Sequence, residues 1–144
     1  MFKKPNHITN VLYCIAKLQY KSKNGKQYID KAIELLVKEP QLSYTVACRN
    51  LWNLFALDHE SKVGMDCFTQ ALLNTKPELI KPIDVASAMR SFAHFQYVNY
   101  DCIEVLLKIT IRNTQDFKMQ TLAVTINSLA DLDITNPTLL LITK

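Results

Sequence analysis

The stretch Phe92-Ala93-His94-Phe95 has three degenerate echoes in the same chain: Ile15-Ala16-Lys17-Leu18, Phe55-Ala56-Leu57-Asp58 and Leu129-Ala130-Asp131-Leu132. The four alanines lie 40, 37 and 37 residues apart. Four residues before each alanine the chain carries Leu12, Trp52, Met89 and Ile126; eight before, it carries Ile8, Cys48, Val85 and Leu122. Positions −8, −4, −1 and 0 share one face of a 3.6-residue helix, so each echo marks an amphipathic helix, with Trp52 read as one of its core residues.

The punctuation has the same period. Glu39-Pro40 and Lys76-Pro77 are 37 residues apart, and Asn113-Thr114 holds the equivalent place 37 residues later. Proline cannot continue a helix interior, so these positions separate units. Repeats are therefore expected at about 5–40, 41–77, 78–114 and 115–144, the surplus of the first falling in Lys21-Ser22-Lys23-Asn24-Gly25-Lys26. Each repeat reads as two helices. The first helices are expected over roughly 7–19, 45–58, 84–97 and 120–132, with Asp84 and Thr121 as N-caps. The second are expected over 27–39, 63–75, 100–112 and a stub from 137. In the second helices Tyr28, Met65 and Cys102 align, as do Leu35, Leu72 and Ile109.

A hairpin of two amphipathic helices cannot bury its apolar face alone, and stacking neighbours solves that problem. The expected fold is all-α: one right-handed α-solenoid domain over 1–144, of about three and a half hairpins. The apolar end Leu139-Leu140-Leu141-Ile142 reads either as a solenoid left open there, embedded in a longer polypeptide or a larger particle, or as a last helix that simply caps the third repeat.

Composition removes several function classes. The chain is 49% hydrophobic and 21% charged, enough for a continuous core. Its two glycines cannot build a phosphate-binding loop, and no apolar run approaches the ~18 residues of a membrane span. Cys14, Cys48, Cys67 and Cys102 lie far apart, with no C-x-x-C pair, and read as small core residues of a reducing compartment rather than metal ligands. His7, His59 and His94 lack acidic or cysteine partners at catalytic or metal spacing. No enzymatic activity, cofactor, metal or membrane association is expected. Met1-Phe2-Lys3-Lys4-Pro5-Asn6 has no apolar leader segment, so a targeting sequence is either absent or precedes this numbering.

Charge is unevenly distributed. Residues 1–40 hold eight lysines and three acidic residues, a net +5, whereas residues 41–144 carry a net −1. A local basic patch of this kind attracts phosphate, or is simply a solvated lysine-rich loop.

The strings Val11-Leu12-Tyr13-Cys14-Ile15-Ala16-Lys17-Leu18-Gln19-Tyr20, Ala88-Met89-Arg90-Ser91-Phe92-Ala93-His94-Phe95-Gln96-Tyr97 and Asn50-Leu51-Trp52-Asn53-Leu54-Phe55-Ala56 resemble a known signature. It is the leucine-tryptophan-x-leucine-alanine-lysine-leucine-x-tyrosine pattern of octotricopeptide and heptatricopeptide repeats. Such 37–38-residue hairpins also occur in FAST-kinase-like and RAP-associated organellar proteins. The resemblance spans about 5–134 and implies an organellar, chiefly mitochondrial-matrix, RNA-binding role in transcript processing, translation or ribosome structure. The second repeat departs from it, with Asp58-His59-Glu60 where Leu-x-Tyr is the rule, and no RAP domain is present, so no nuclease chemistry carries over.

RNA contact requires polar and aromatic residues on the face of the first helices not used for packing. Positions −6, −3 and +1 from the alanines read Asn10-Tyr13-Lys17, Asn50-Asn53-Leu57, Ser87-Arg90-His94 and Val124-Asn127-Asp131. Asn and Arg bond base edges, while Tyr, His and Arg stack on unpaired bases. The candidate RNA-binding residues are Asn10, Tyr13, Lys17, Arg49, Asn50, Asn53, Arg90, His94 and Asn127, with Lys21, Lys23 and Lys26 supplying phosphate contacts. The expected partners are a ribosomal or organellar transcript and other protein subunits. Two other readings remain open: a protein–protein scaffold gripping a subunit with the same face, and an accessory domain of an enzyme whose catalytic part lies elsewhere.

Overall fold

The computed structural model describes residues 4–18 and 25–132. Lys3, Tyr20, Lys21, Lys23, Asp133 and the apolar stretch 139–142 lie outside them. Within the described residues the chain is all-helical. Seven α-helices follow in order: α1 Pro5–Leu18, α2 Gly25–Val37, α3 Tyr44–Leu57, α4 Lys62–Leu73, α5 Pro82–His94, α6 Tyr100–Arg112 and α7 Met119–Asp131. Single 3-10 turns occupy Pro77–Leu79 and Thr114–Asp116, where the repeat boundaries were expected. The helices form two compact units, Met1–Leu72 and Leu73–Lys144.

In the first unit α1 packs along α3 and, less extensively, against α2. Leu12, Leu36, Leu51, Leu54, Met65 and Phe68 are closed off completely or nearly so. Gly64 lets α4 approach α2: a Cβ there would lie 3.1 Å from the Ile33 Cγ2 methyl. In the second unit α5 packs mainly along α7 and touches α6, around Val85, Met89, Phe92, Leu106, Leu107 and Leu129. Thus in each unit the first helices of consecutive repeats lie side by side, the neighbour-only packing that stacked hairpins require.

Local signals fix the helix ends. The Ser43 hydroxyl accepts from the Val46 amide at 3.3 Å and opens α3, and the Asn99 side chain accepts from the Cys102 amide at 2.9 Å and opens α6. Asp84 is not the N-cap of α5 but its third residue; its carboxylate accepts from the amide of Lys81, which is the cap, at 3.2 Å. Lys118, not Thr121, precedes α7. Pro82 accounts for the earlier start of α5, because proline is well suited to a first helical turn.

Helices α3 and α5 end alike. Asp58 and Gln96 adopt left-handed backbone conformation, each with φ 51°. Behind them the His59 amide bonds the Leu54 carbonyl at 3.0 Å and the Tyr97 amide bonds the Phe92 carbonyl at 2.8 Å. This is a Schellman closure. At α5 it is completed by an apolar contact, the Phe92 and Tyr97 rings lying 5.5 Å apart. The departure of Asp58-His59-Glu60 from the repeat pattern falls on this closure: Asp tolerates the left-handed region better than most residues.

The recurring positions are not uniformly interior. Ala16 and Ala93 are buried, but Ala56 and Ala130 are exposed. Cys48 and Cys102 are buried, Cys67 is half-buried, and Cys14 faces solvent, against the expectation of four core cysteines. Burial pushes the Cys102 thiol up to about 12. Met65, Leu72, Cys102 and Ile109 are buried, whereas their first-repeat counterparts Tyr28 and Leu35 are 69% and 38% exposed.

Two outcomes test this packing. Phe68→Ala should cost about 3–5 kcal/mol in denaturant unfolding, as expected for a fully enclosed ring. A thiol reagent at pH 8 should modify Cys14 rapidly and leave Cys48 and Cys102 untouched until the chain is unfolded.

Candidate nucleic-acid interface

The site begins with a buried hydrogen-bond ladder between α1 and α3. Thr9, one turn into α1, donates its hydroxyl hydrogen to the Pro5 carbonyl at 2.7 Å. Its oxygen in turn accepts from the Asn50 side-chain amide at 2.8 Å, and that amide also bonds the Val46 carbonyl at 2.9 Å. The Asn53 amide donates to the Thr9 carbonyl and to Asn50 Oδ1, both at 3.2 Å. Thr9, Asn50 and Asn53 are all within the core, Asn50 and Asn53 being 0% exposed.

The placement of Asn50 and Asn53 on an RNA-facing surface is therefore corrected. The repeat register suggested that each first helix turns the same face outward. Instead α3 buries both positions against α1, and their amides are used by Thr9. Buried polar side chains need such partners, and this network satisfies all but Asn53 Oδ1.

The ladder sets the register that brings a second group of side chains together at the edge of the same contact. Tyr13 and Lys17 come from α1, one turn apart; Arg49 and Trp52 come from α3, three residues apart. The Tyr13 and Trp52 rings lie 5.5 Å apart with their planes inclined by 39°. Lys17 Nζ stands 5.7 Å from the Tyr13 ring centre and 5.5 Å from that of Trp52. The Arg49 guanidinium is 5.2 Å from the Tyr13 ring centre. Both rings are half-buried and both cations are exposed. Each cation–ring contact at such a site is worth about 0.5–1 kcal/mol.

Among the described residues neither Lys17 nor Arg49 forms an ion pair, so both charges are left to act on an incoming anion. Asn10, exposed one turn before Tyr13, extends the same strip of α1. The result is two π faces flanked by two positive charges, the combination that holds an unpaired base and its phosphates.

Tyr13, Lys17 and Arg49 were legible as candidates; Trp52 was not, because its repeat position is interior in Leu12 and Met89. The available signal was Arg49 three residues before the chain's single tryptophan, which places a cation on the same side of the helix. Lys26 is exposed in the first turn of α2, while Lys21 and Lys23 lie outside the described residues. In the second unit Arg90 and His94 are exposed on α5 and Asn127 on α7. The His94 ring meets Phe95 edge-on at 4.7 Å. These three belong to the second unit.

His59 has an acidic partner that sequence spacing did not reveal. Its Nε2 lies 2.7 Å from Asp30 Oδ1, and the ring is 92% enclosed while the carboxylate is largely exposed. The pair links α2 to the end of α3 and reads as a structural tie. Among the described residues no three His, Cys, Asp or Glu side chains are grouped to hold a metal. Likewise no described helix is long and apolar enough to cross a membrane.

Compared with protein-family models the chain matches none. Compared with curated proteins it matches none closely enough to indicate a relationship.

Thr9→Val removes one of the two acceptors of the Asn50 amide while keeping the shape of the side chain. It should destabilise the fold by about 1–3 kcal/mol in urea unfolding, the cost of leaving one buried N–H unpaired. The change should also loosen the Tyr13–Trp52 pair, read as a shift in Trp52 fluorescence before unfolding begins.

Proposed function

We propose that the chain is an RNA-binding helical-repeat protein that holds single-stranded RNA on the α1–α3 edge and works inside a larger ribonucleoprotein. The single observation that carries this reading is the Tyr13–Trp52 pair flanked by Lys17 and Arg49. A base stacks on the exposed part of the indole, and its phosphates meet the two cations. Lys26 and the neighbouring lysines of the first repeat extend the electrostatic attraction along the backbone. The resemblance to octotricopeptide and heptatricopeptide repeats supports the same assignment and supplies the mitochondrial setting, with a ribosomal or transcript RNA as partner. The protein contributes no chemistry of its own in this reading.

A second reading is favoured by the near-neutral net −1 charge of residues 41–144, which offers RNA no net electrostatic attraction. The chain is then a scaffold subunit whose second unit contacts protein.

The chain's only tryptophan sits in the site, so binding has a direct optical readout. Titration with a single-stranded RNA of about ten nucleotides should quench Trp52 emission, and a duplex of the same sequence should do so far less. Arg49→Ala and Lys17→Ala should each weaken binding roughly threefold to tenfold and flatten its salt dependence. Unchanged emission up to high RNA concentration, with stoichiometric recovery of protein subunits from the native particle, would establish the scaffold reading instead.

A further inference from the structure

The four side chains at the α1–α3 edge are not equivalent, and their distances assign them different work. Tyr13 is the member that the other three touch. Its ring centre lies 5.5 Å from that of Trp52, 5.7 Å from Lys17 Nζ and 5.2 Å from the Arg49 guanidinium. One cation reaches the ring from its own helix, one turn on, and the other comes across from α3.

The spacing of the rings limits what enters. Carbon atoms in contact stand about 3.5 Å apart, so a base held between two rings needs their centres roughly 7 Å apart and their planes close to parallel. Tyr13 and Trp52 are 5.5 Å apart and inclined by 39°, so no base fits between them without parting the pair. Lys17 Nζ is almost equally far from the two ring centres, 5.7 and 5.5 Å, which sets the ammonium over their seam. A base stacked on Tyr13 would have to displace a cation that this ring holds. Arg49 stands against Tyr13, so the broader, bicyclic indole keeps more of its face for a base.

Two cations beside one ring repel each other, and the electron-rich faces of Tyr13 offset that repulsion by attracting both. The ring is also the link across the helix pair. It carries the register set by Thr9, Asn50 and Asn53 outward to the charges. The second unit has no such device: the equivalent repeat positions hold Arg90 in place of Tyr13 and Ile126 in place of Trp52. The stacking pair therefore occurs once among the recurring first helices.

We propose that Tyr13 is a positioning residue, which holds Lys17 and Arg49 for the phosphates without stacking on RNA itself, and that this edge seats one unpaired base, on Trp52. The inference rests on the RNA reading and narrows it. A single nucleotide of the strand is gripped through its base, and its neighbours through their phosphates alone. The identity of the other bases then has no bearing on affinity at this edge.

The test uses the full chain and a single-stranded RNA of about ten nucleotides in which every base but a central uracil is removed, leaving abasic sugars. At saturation it should quench Trp52 as far as the unmodified strand does, and bind within roughly threefold of it. With 4-thiouracil as the retained base, irradiation should crosslink the strand to Trp52 and not to Tyr13. Tyr13→Leu, checked for unchanged helical circular dichroism, should weaken binding roughly threefold to tenfold. The slope of log Kd against log salt should stay as it was, because both cations remain, whereas Arg49→Ala should lower that slope by about one. The conservative Tyr13→Phe, which restores a ring, should recover most of the loss. In the unbound protein, the Arg49 Nε–H and Lys17 ε-methylene resonances should shift in Tyr13→Leu as the ring current is removed, a readout independent of RNA. Crosslinks to Tyr13 would overturn the proposal and leave the RNA reading standing. So would a need for two or more retained bases to reach full quenching, or unmoved Arg49 and Lys17 resonances in Tyr13→Leu. Absence of any binding by the unmodified strand would overturn both.

Discussion

The side-by-side contact between the first helices of consecutive repeats, α1 on α3 in one unit and α5 on α7 in the other, is the constraint on which the remaining structure depends. A lone hairpin of these sequences would leave one apolar stripe in water, and at about 25 cal/mol per Å² that exposure would outweigh what a single pair of short helices gains. In the first unit the contact is more than apolar. The Thr9–Asn50–Asn53 ladder favours one axial register, because sliding α1 by a turn would take from each of two buried amides the acceptor that Thr9 supplies, leaving only their bonds within α3.

That single register has an inner and an outer product. Inside, it closes the core around Leu12, Leu51 and Leu54. At the edge, it sets Tyr13 over Trp52 and holds two cations beside them. The proposed RNA site and the stability of the first unit are thus two readings of one helix contact.

Helix positions were legible because the apolar spacing and the prolines carry local information. Pro40 and Pro77 end units whatever the tertiary packing, and the alanine-centred stripes fall inside α1, α3, α5 and α7. What the pattern could not supply was rotation. Asn50 and Asn53 look like solvent-facing residues by repeat position, yet α3 turns them toward α1, where Thr9 accepts one amide directly and through its carbonyl the other. Nothing in the local sequence of α3 announces Thr9, which lies 41 residues away from Asn50. Trp52 failed in the opposite direction: a core position by pattern, it is held at the surface edge by its size and by the ring of Tyr13. The Asp30–His59 pair was hidden for the same reason, since a contact spanning 29 residues has no spacing rule.

The two left-handed helix ends have a consequence beyond local geometry. Asp58 and Gln96 hold conformations that glycine would adopt without strain, and the chain as a whole contains only two glycines. A polypeptide with so few glycines samples fewer backbone states when unfolded, so less conformational entropy is lost at each of these corners on folding. Part of what keeps the repeats folded is thus a property of the denatured ensemble, and it leaves no mark in any native contact.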